Sequence, residues 1–362
     1  MTQFTELWRL DAIFACLAAF ITCLLLVLTK DWHGKFSMDS TLGVQKFHTT
    51  PTPRIGGVAI ALGVIVGYAL SSRDPAAGEK RAILASIILA GVPAFVFGLL
   101  EDLTKTVSVR ARLLATMASG VLGWGITGVS ISHVNISQID WLLSFTVISV
   151  VFTAFAVGGV ANAINIIDGF NGLAAGTVLI MLTAFGVIAR SVNDIPLAFA
   201  CLVIAGAVFG FFCVNWPKGQ IFLGDGGAYF VGFAIAWIAV LLPHRNAEVS
   251  PWASLLICAY PIVEVAFSFL RKAKRIGHNP GQPDKVHLHM LVYSRVSKKI
   301  FSKQSQPIKN GLTSLFIWLM PLFTAISAVA ASKSSLQCFL MATLFCFLYF
   351  VFYRRLATFR WF

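Results

Sequence analysis

Five short stretches of the chain collect carboxylates, amides, imidazoles and glycines in patterns that suit binding and transfer chemistry rather than packing. The first runs Gln45-Lys46-Phe47-His48-Thr49-Thr50-Pro51-Thr52-Pro53-Arg54-Ile55-Gly56-Gly57. Its prolines stiffen the loop and its Gly-Gly pair permits close helix approach. Lys46, His48 and Arg54 can neutralise a phosphate or diphosphate there. A basic loop that only sets topology is the plainer alternative. The second stretch, Gly98 to Thr104, carries the adjacent acids Glu101 and Asp102, followed by Ser108, Arg110 and Arg112. Neighbouring carboxylates in apolar surroundings are costly unless they hold metal, pair with cations or move protons. An ion pair with Lys105 or Arg110 is the simpler account.

The third stretch, Asn162 to Ala174, spaces Asn162, Asn165 and Asp168 one helical turn apart, then breaks the run with Asp168-Gly169 and Asn171-Gly172. Such polar groups at the mouth of an apolar helix are hard to explain as packing. The fourth begins at Asn215-Trp216-Pro217-Lys218 and continues through Phe222 to Gly224-Asp225-Gly226-Gly227. Glycines around one Asp let backbone amides approach an anion while the carboxylate holds a cation, and Phe222 can stack on a base. The stretch lacks a Gly-Lys-Ser/Thr ending and is therefore not a P-loop. A tight turn opening a helix would look the same. The fifth, around Asp284, places His287 and His289 two residues apart. No cysteine or third close histidine joins them, so contact with a phosphate or sugar is favoured over a transition-metal site.

These residues must be positioned by a very apolar chain. Of 362 residues, 57% are hydrophobic and only 12% charged. About 25% charged is usual for a soluble domain, so a water-soluble enzyme or a disordered chain is excluded. Apolar runs long enough to cross a bilayer as helices fall at about 11–29, 55–72, 82–100, 113–131, 141–161, 173–189, 196–214, 226–242, 252–270, 312–331 and 337–353. The alternating ten-residue segments of a β-barrel are absent. The expected fold is all-α: a polytopic bundle of about eleven transmembrane helices with active-site loops on the cytoplasmic side, residues 1–362 forming one membrane domain. Within it, 271–311 is expected to be a basic cytoplasmic loop that includes the plain charge run of Lys298, Lys299, Lys303 and Lys309. The first run is too long for a signal peptide and lacks a small-x-small site after Leu28.

Charge fixes an orientation. With eleven spans, 21 of the 28 Lys and Arg residues fall on one side, ten of them in 271–311. By the positive-inside rule that side is cytoplasmic, the N-terminus outside and the C-terminus inside, as in a bacterial inner membrane. The net charge of +13 then speaks for anionic lipids and substrates and against nucleic acid. Of 15 acids, Glu101, Asp102, Asp168, Asp225 and Asp284 gather on that same side, and Glu264 alone lies inside a span. A carrier would instead concentrate acids near the midplane. Transport of an anion through Glu264 is the rival functional class, and a structural hydrogen bond is the plainer account of that residue. The seven cysteines all fall in apolar runs without a Cys-x-x-Cys spacing and read as packing residues.

In this order, with Asn215 ten residues before Asp225, the five stretches resemble the polyprenyl-phosphate N-acetylhexosamine-1-phosphate transferase family over about 43–290. The loop His48-x-x-Pro51-x-Pro53-Arg54-x-Gly56-Gly57 is more similar to the GlcNAc-transferring branch than to the branch that transfers phospho-MurNAc-pentapeptide. The resemblance implies an enzyme that moves a sugar phosphate from a UDP-N-acetylhexosamine to undecaprenyl phosphate, releasing UMP, to begin a surface polysaccharide such as O-antigen. It implies Mg²⁺, with Mn²⁺ as an alternative, held by Asp225, Asn165 and Asp168. Asp102, Glu101, Asp168 and Asp225 become the catalytic set. Lys46, His48, Arg54, Asn162, Asn165, Asn171, Asn215, Phe222, His287 and His289 become substrate-binding, with Asn215 and Phe222 near the uracil. Glu101 stands where the family usually has Asp, which makes Asp102 the preferred acid. Asn171 and Met290 replace an Asp and a His seen in many members. Membrane lipids are the remaining partner, and association of two copies is left open.

Overall fold

The computed structural model describes residues 2–39, 51–73, 78–273 and 286–358. Along the chain the helices are α1 (Thr2–Leu28), α2 (Lys30–Ser37), α3 (Gly56–Leu70), α4 (Gly78–Ala90), α5 (Val92–Thr104), α6 (Val109–Thr127), α7 (Ser137–Leu143), α8 (Thr146–Ile167) and α9 (Leu173–Ser191). They continue as α10 (Ile195–Asn215), α11 (Gly224–Arg245), α12 (Pro251–Ile257), α13 (Ala259–Ala273), α14 (Leu288–Val292), α15 (Lys298–Ile300), α16 (Gln306–Ala331) and α17 (Ser335–Thr358). A short π-helical stretch, Tyr293–Ser297, joins α14 to α15. Among the described residues the only strands are β1 (Met38–Asp39) and β2 (Thr52–Pro53), paired antiparallel with Met38 opposite Pro53. The chain is an all-α polytopic membrane bundle.

Among the described residues, eight helices are individually long and apolar enough to span a bilayer, and two bent pairs bring the number to ten. The runs expected to cross unbroken at 82–100 and 252–270 are those pairs: α4–α5 bends by 41° and α12–α13 by 70°. Each break lies just before a proline, Pro93 in α5 and Pro261 in α13. A proline lacks the N–H that would bond the carbonyl four residues earlier, and its ring crowds that carbonyl. The run expected at 141–161 divides into α7 and α8 at Ser144-Phe145. The eleventh expected run is α6, whose 19 residues give a rod about 28 Å long. Arg110 and Arg112 in its first turn make it less apolar than the others.

At the centre stands α11, with 94% of its spanning window buried, against 28% for α1 and 17% for α17. It packs on α3, α5, α6, α8, α9 and α12. A helix hydrophobic all round belongs in such a place. Lipid offers little hydrophobic drive for helix association, so close packing must supply it. The N-terminal turn of α11 achieves it with glycine: a Cβ on Gly57 of α3 would stand 2.2 Å from the Gly227 nitrogen, and one on Gly98 of α5 2.6 Å from the Asp225 carbonyl. Three helices therefore meet backbone to backbone around Asp225.

The segment 271–311 is not wholly a solvated loop. His287, Leu288, His289, Met290, Leu291, Val292 and Tyr293 are buried, and Leu288 and Met290 through Tyr293 join the main apolar core. Lys298, Lys299 and Lys303 beyond them are exposed, as a plain charge run should be. The apolar side chains interleaved with the histidines pull this part inward. All seven cysteines are free thiols.

Candidate active site

Four of the five stretches converge at one end of the bundle, where α5 and α8 end and α3 and α11 begin. Asp225 is the hub. Its carboxylate accepts from Arg54 Nη2, from Arg112 Nη1 and from Asn165 Nδ2 at 3.1 Å. The carboxylate is 2% exposed, and the two arginine side chains 28% and 16%. Asp102 lies beside it, fully buried. Its Oδ1 accepts the Asp225 N–H and its Oδ2 the Gly226 N–H, both at 2.9 Å, and Arg54 Nε stands 3.2 Å from Oδ1. Asp102 thus satisfies two of the first amides of α11, which no turn of helix can reach, and places a negative charge at the positive end of that helix.

Arg54 is placed by backbone stitching. The β1–β2 pairing continues into an Arg54 N–H bond to the Ser37 carbonyl at 2.8 Å. The Phe222 N–H bonds the Pro53 carbonyl, and the Gly56 and Gly57 N–H groups bond the Phe222 and Leu223 carbonyls. The first and fourth stretches are therefore one small backbone-bonded unit. Burial opposes the charge of the Arg54 guanidinium, but Asp225, Asp102, Asp39 and Asp168 around it hold its pKa above the usual value. The Phe222 ring is half-buried. Lys46 and His48, within residues 40–50, lie outside the described residues.

Asp168 follows the last residue of α8. Burial pushes its carboxyl up to about 7; Arg54 pulls it down, while Asp225 and Asp102 push it further up. Across α5 the two acids part company. Glu101 is half-buried, and its Oε2 accepts the Val107 N–H at 2.8 Å, closing the turn between α5 and α6. Lys105 donates to the Asp102 carbonyl at 2.6 Å, not to the Glu101 carboxylate. The preferred acid, Asp102, thus has both oxygens on helix amides, and Glu101 is the more open of the pair.

Three amides from the sequence patterns are spent on the scaffold. Asn162 turns away from Asn165, donating to Thr116 Oγ1 at 3.1 Å and to the Gly158 carbonyl. Asn215 accepts the Gly172 N–H at 2.5 Å and donates to the Ile221 carbonyl at 2.7 Å. Asn171 donates to the Pro217 carbonyl, while its own N–H bonds Asn310 Oδ1 at 2.7 Å and its carbonyl accepts from Ser314. Asn171 and Asn215 hold the third and fourth stretches and the start of α16 in register. Asn310 and Ser314 gave no motif, being ordinary polar residues at the head of an apolar helix. Arg112 was visible only as one of three cations after the acidic pair, and spacing did not say which turns inward.

His287 and His289 are buried, with rings 5.4 Å apart and 6° from parallel. His289 also packs edge-on to Phe170 at 5.5 Å, and its Nε2 is 2.9 Å from where a Cβ on Gly169 would stand. The fifth stretch thereby sits against the Asp168–Phe170 turn. Glu264 is a hydrogen-bonded structural acceptor, bound by His287 Nδ1, the Leu288 N–H and the Tyr349 hydroxyl.

The arrangement suits an anion bridged by a hard cation. Two guanidiniums and three carboxylates share one end of the bundle, with the Asn165 amide among them. No three His, Cys, Asp or Glu side chains among the described residues form a metal cage. Magnesium commonly takes only one or two carboxylates and completes its shell with phosphate oxygens and water. The all-oxygen donor set of Asp225, Asp168 and Asn165 fits that habit.

Residues 84–243 match a family described as glycosyl transferase family 4, a stretch that takes in Glu101, Asp102, Asn165, Asp168, Asn215 and Asp225. Over 294 residues, 81% of the chain and 76% of the relative, the sequence is 25% identical to a probable undecaprenyl-phosphate N-acetylglucosaminyl 1-phosphate transferase of Bacillus subtilis. It is 26% identical over 253 residues, 68% of the chain and 67% of the relative, to an undecaprenyl-phosphate alpha-N-acetylglucosaminyl 1-phosphate transferase of Yersinia pestis. A phospho-N-acetylmuramoyl-pentapeptide-transferase of Clostridium perfringens is 29% identical over 229 residues, 62% of the chain and 72% of the relative.

Proposed function

We infer that this chain, which belongs to the polyprenyl-phosphate N-acetylhexosamine-1-phosphate transferase family, moves N-acetylhexosamine-1-phosphate from a UDP-sugar to undecaprenyl phosphate and releases UMP. It is a multi-pass membrane phosphotransferase. The observation that carries the reading is Asp225 at the start of α11, held among Arg54, Arg112 and Asn165 at one end of a membrane bundle.

In the reaction an oxygen of the lipid phosphate attacks the β-phosphorus of the UDP-sugar. The bond from that phosphorus to the bridging oxygen breaks, and UMP leaves with the bridging oxygen. Phosphoryl transfer asks the protein for in-line positioning and charge neutralisation more than for covalent help. Arg54 and Arg112 are the groups for the diphosphate, since planar guanidiniums match phosphate oxygens. Each already binds a carboxylate, so substrate exchanges one anion for another rather than ordering a free side chain. Asp225, Asn165 and Asp168 would hold Mg²⁺, or Mn²⁺ in its place, which when bound supplies positive charge at the diphosphate. A phosphate monoester is substantially ionised near neutral pH, so no strong base is needed. Glu101, the open acid, is placed to accept a residual proton. The acceptor's polyprenyl tail would lie in the bilayer.

The transporter reading loses its motivating residue, because Glu264 is fully engaged by protein donors. The sugar separates the GlcNAc-type activity from the pentapeptide-type. Purified protein is supplied with polyprenyl phosphate, Mg²⁺ and a panel of UDP-sugars, and the lipid products are read by mass spectrometry. UDP-GlcNAc or another simple UDP-N-acetylhexosamine should give a lipid diphosphosugar and UMP, and Asp225→Ala should lower the rate by at least about a thousandfold. Full activity of that variant would sink the assignment. Such a product would begin a surface polysaccharide such as O-antigen.

A further inference from the structure

Among the described residues, Glu264 is the one acid buried at the middle of a membrane helix pair, and its surroundings give it a task. It lies on α13, beyond the 70° bend from α12, with 1% of its surface exposed. An ionisable group at such a place is expensive unless partners satisfy it. Glu264 Oε1 accepts from His287 Nδ1 at 3.0 Å and from the Leu288 N–H at 3.1 Å, and Oε2 accepts from the Tyr349 hydroxyl at 2.7 Å. The three donors come from two different parts of the chain, the start of α14 and the middle of α17. Tyr353, one turn on from Tyr349, donates to the Val286 carbonyl at 2.9 Å, so α17 holds the entry to the histidine stretch directly there and through Glu264 at Tyr349.

The consequence runs towards the active site. As acceptor of three hydrogen bonds, the carboxylate requires a hydrogen on His287 Nδ1. The same bond fixes the ring plane. His289 stacks on that plane, 6° from parallel, and seats against Gly169 and Phe170 beside Asp168. Orientation passes from Glu264 to His287 and then by stacking to His289, which meets the turn carrying a proposed metal ligand. Carboxylates behind functional histidines are known to act by fixing tautomer and orientation.

We propose that Glu264, steadied by Tyr349, is a positioning residue that aligns the His287/His289 pair for the UDP-sugar. The proposal rests on the transferase reading above. It also gives the bend between α12 and α13 a purpose, since that bend precedes the helix that delivers Glu264 to the histidines.

The test is a double-mutant cycle in purified full-length protein, run well below the unfolding midpoint. Glu264→Ala and His287→Ala should each lower kcat/KM for the UDP-sugar by about 10–100-fold, with KM for polyprenyl phosphate unchanged. Together they should cost no more than about threefold beyond His287→Ala alone, because the two act through one bond. Glu264→Gln keeps the carbonyl that accepts from His287 and Leu288, and should remain within about threefold of the parent. Tyr349→Phe removes one of the three donors and should fall between. Multiplicative losses, equal damage to both substrates' KM, or a Gln variant as poor as the Ala variant would each overturn the proposal. A readout without turnover separates this from the functional reading: diethylpyrocarbonate should modify the His287–His289 peptide slowly in the parent and faster in Glu264→Ala. An unchanged modification rate overturns the positioning claim, whereas a parent inactive with every UDP-sugar overturns only the transferase.

Discussion

Asp225 meets two guanidiniums and an amide, and Asp102 meets two helix amides and one guanidinium edge, so neighbouring carboxylates do different work. Asp102 is bound to the part of the chain that carries Asp225: its oxygens take the N–H of Asp225 itself and of Gly226. That is an anchoring role, and it explains why an aspartate with no flexible reach suits position 102. Glu101 carries one more methylene, and its Oε2 closes the following turn on Val107. The adjacent letters E and D do not disclose this division, since both acids end the same helix and only its rotation decides which faces α11. Substitution separates them. Asp102→Asn turns an N–H against a backbone N–H, leaves a buried donor unpaired and should cost about 1–3 kcal/mol, read as a lower unfolding midpoint in detergent along with lost activity. Glu101→Gln keeps a carbonyl for Val107 and should leave the midpoint unmoved while lowering the rate, because only its charge is gone. If both variants lost stability equally, the division of labour would be wrong.

Between elements, the active end depends on how closely three helices approach. Gly57 of α3 and Gly98 of α5 touch the first turn of α11 backbone to backbone, and a Cβ at 98 would overlap the Asp225 carbonyl carbon and oxygen at 2.6 Å. Neither atom can yield without moving Asp225 away from Arg54 and Arg112. Gly98→Ala should therefore lower activity at least about tenfold and destabilise by about 1–3 kcal/mol, the usual range for overpacking. Gly125 of α6 is the matched control: a Cβ there meets nothing within 4 Å. Gly125→Ala should be neutral or stabilising by up to about 1 kcal/mol, since alanine restricts the unfolded chain and favours helix. Melting curves and turnover of both variants, measured side by side, check the pair. A tolerant Gly98→Ala would mean that α5 can slide and that Asp225 is not fixed by backbone contact. The same contact shows what periodicity misses. Glycine at 98 looks like any small residue in an apolar run, and only the position of the third helix makes it obligatory. The bends at Pro93 and Pro261 were visible as prolines, but a continuous apolar run hides a break when its hydropathy does not change.

At the scale of the whole molecule, the motifs were legible because polar residues stand out in an apolar chain, and their meeting at one end follows from where each lies in its helix. Asp102 and Asp168 fall at helix ends, Arg54 and Asp225 at helix starts, and alternate crossings bring those positions to one face. What sequence did not show is the scaffold between them. Asn171, Asn215 and Asn162 have the chemistry of ligands, yet their amides bind the chain's own backbone or a threonine. The histidines, which read as a pair on a basic loop, lie in the core because Leu288, Met290 and Leu291 take them there. Orientation remains to be tested, and it decides whether the site can meet a nucleotide-sugar. The end that carries Asp225 is the end where 21 of 28 Lys and Arg residues lie in the eleven-span reading. Positive residues are retained on the cytoplasmic side, and UDP-sugars are cytoplasmic metabolites, so charge and substrate give the same answer independently. In a chain with its seven cysteines replaced, an exposed Thr106→Cys marks the active end and an exposed Ser132→Cys the opposite one. An impermeant maleimide should label Cys at 132 in right-side-out vesicles and at 106 only in inverted ones. The reverse pattern would put the active end outside, away from any nucleotide-sugar supply, and would overturn the topology and the substrate assignment together.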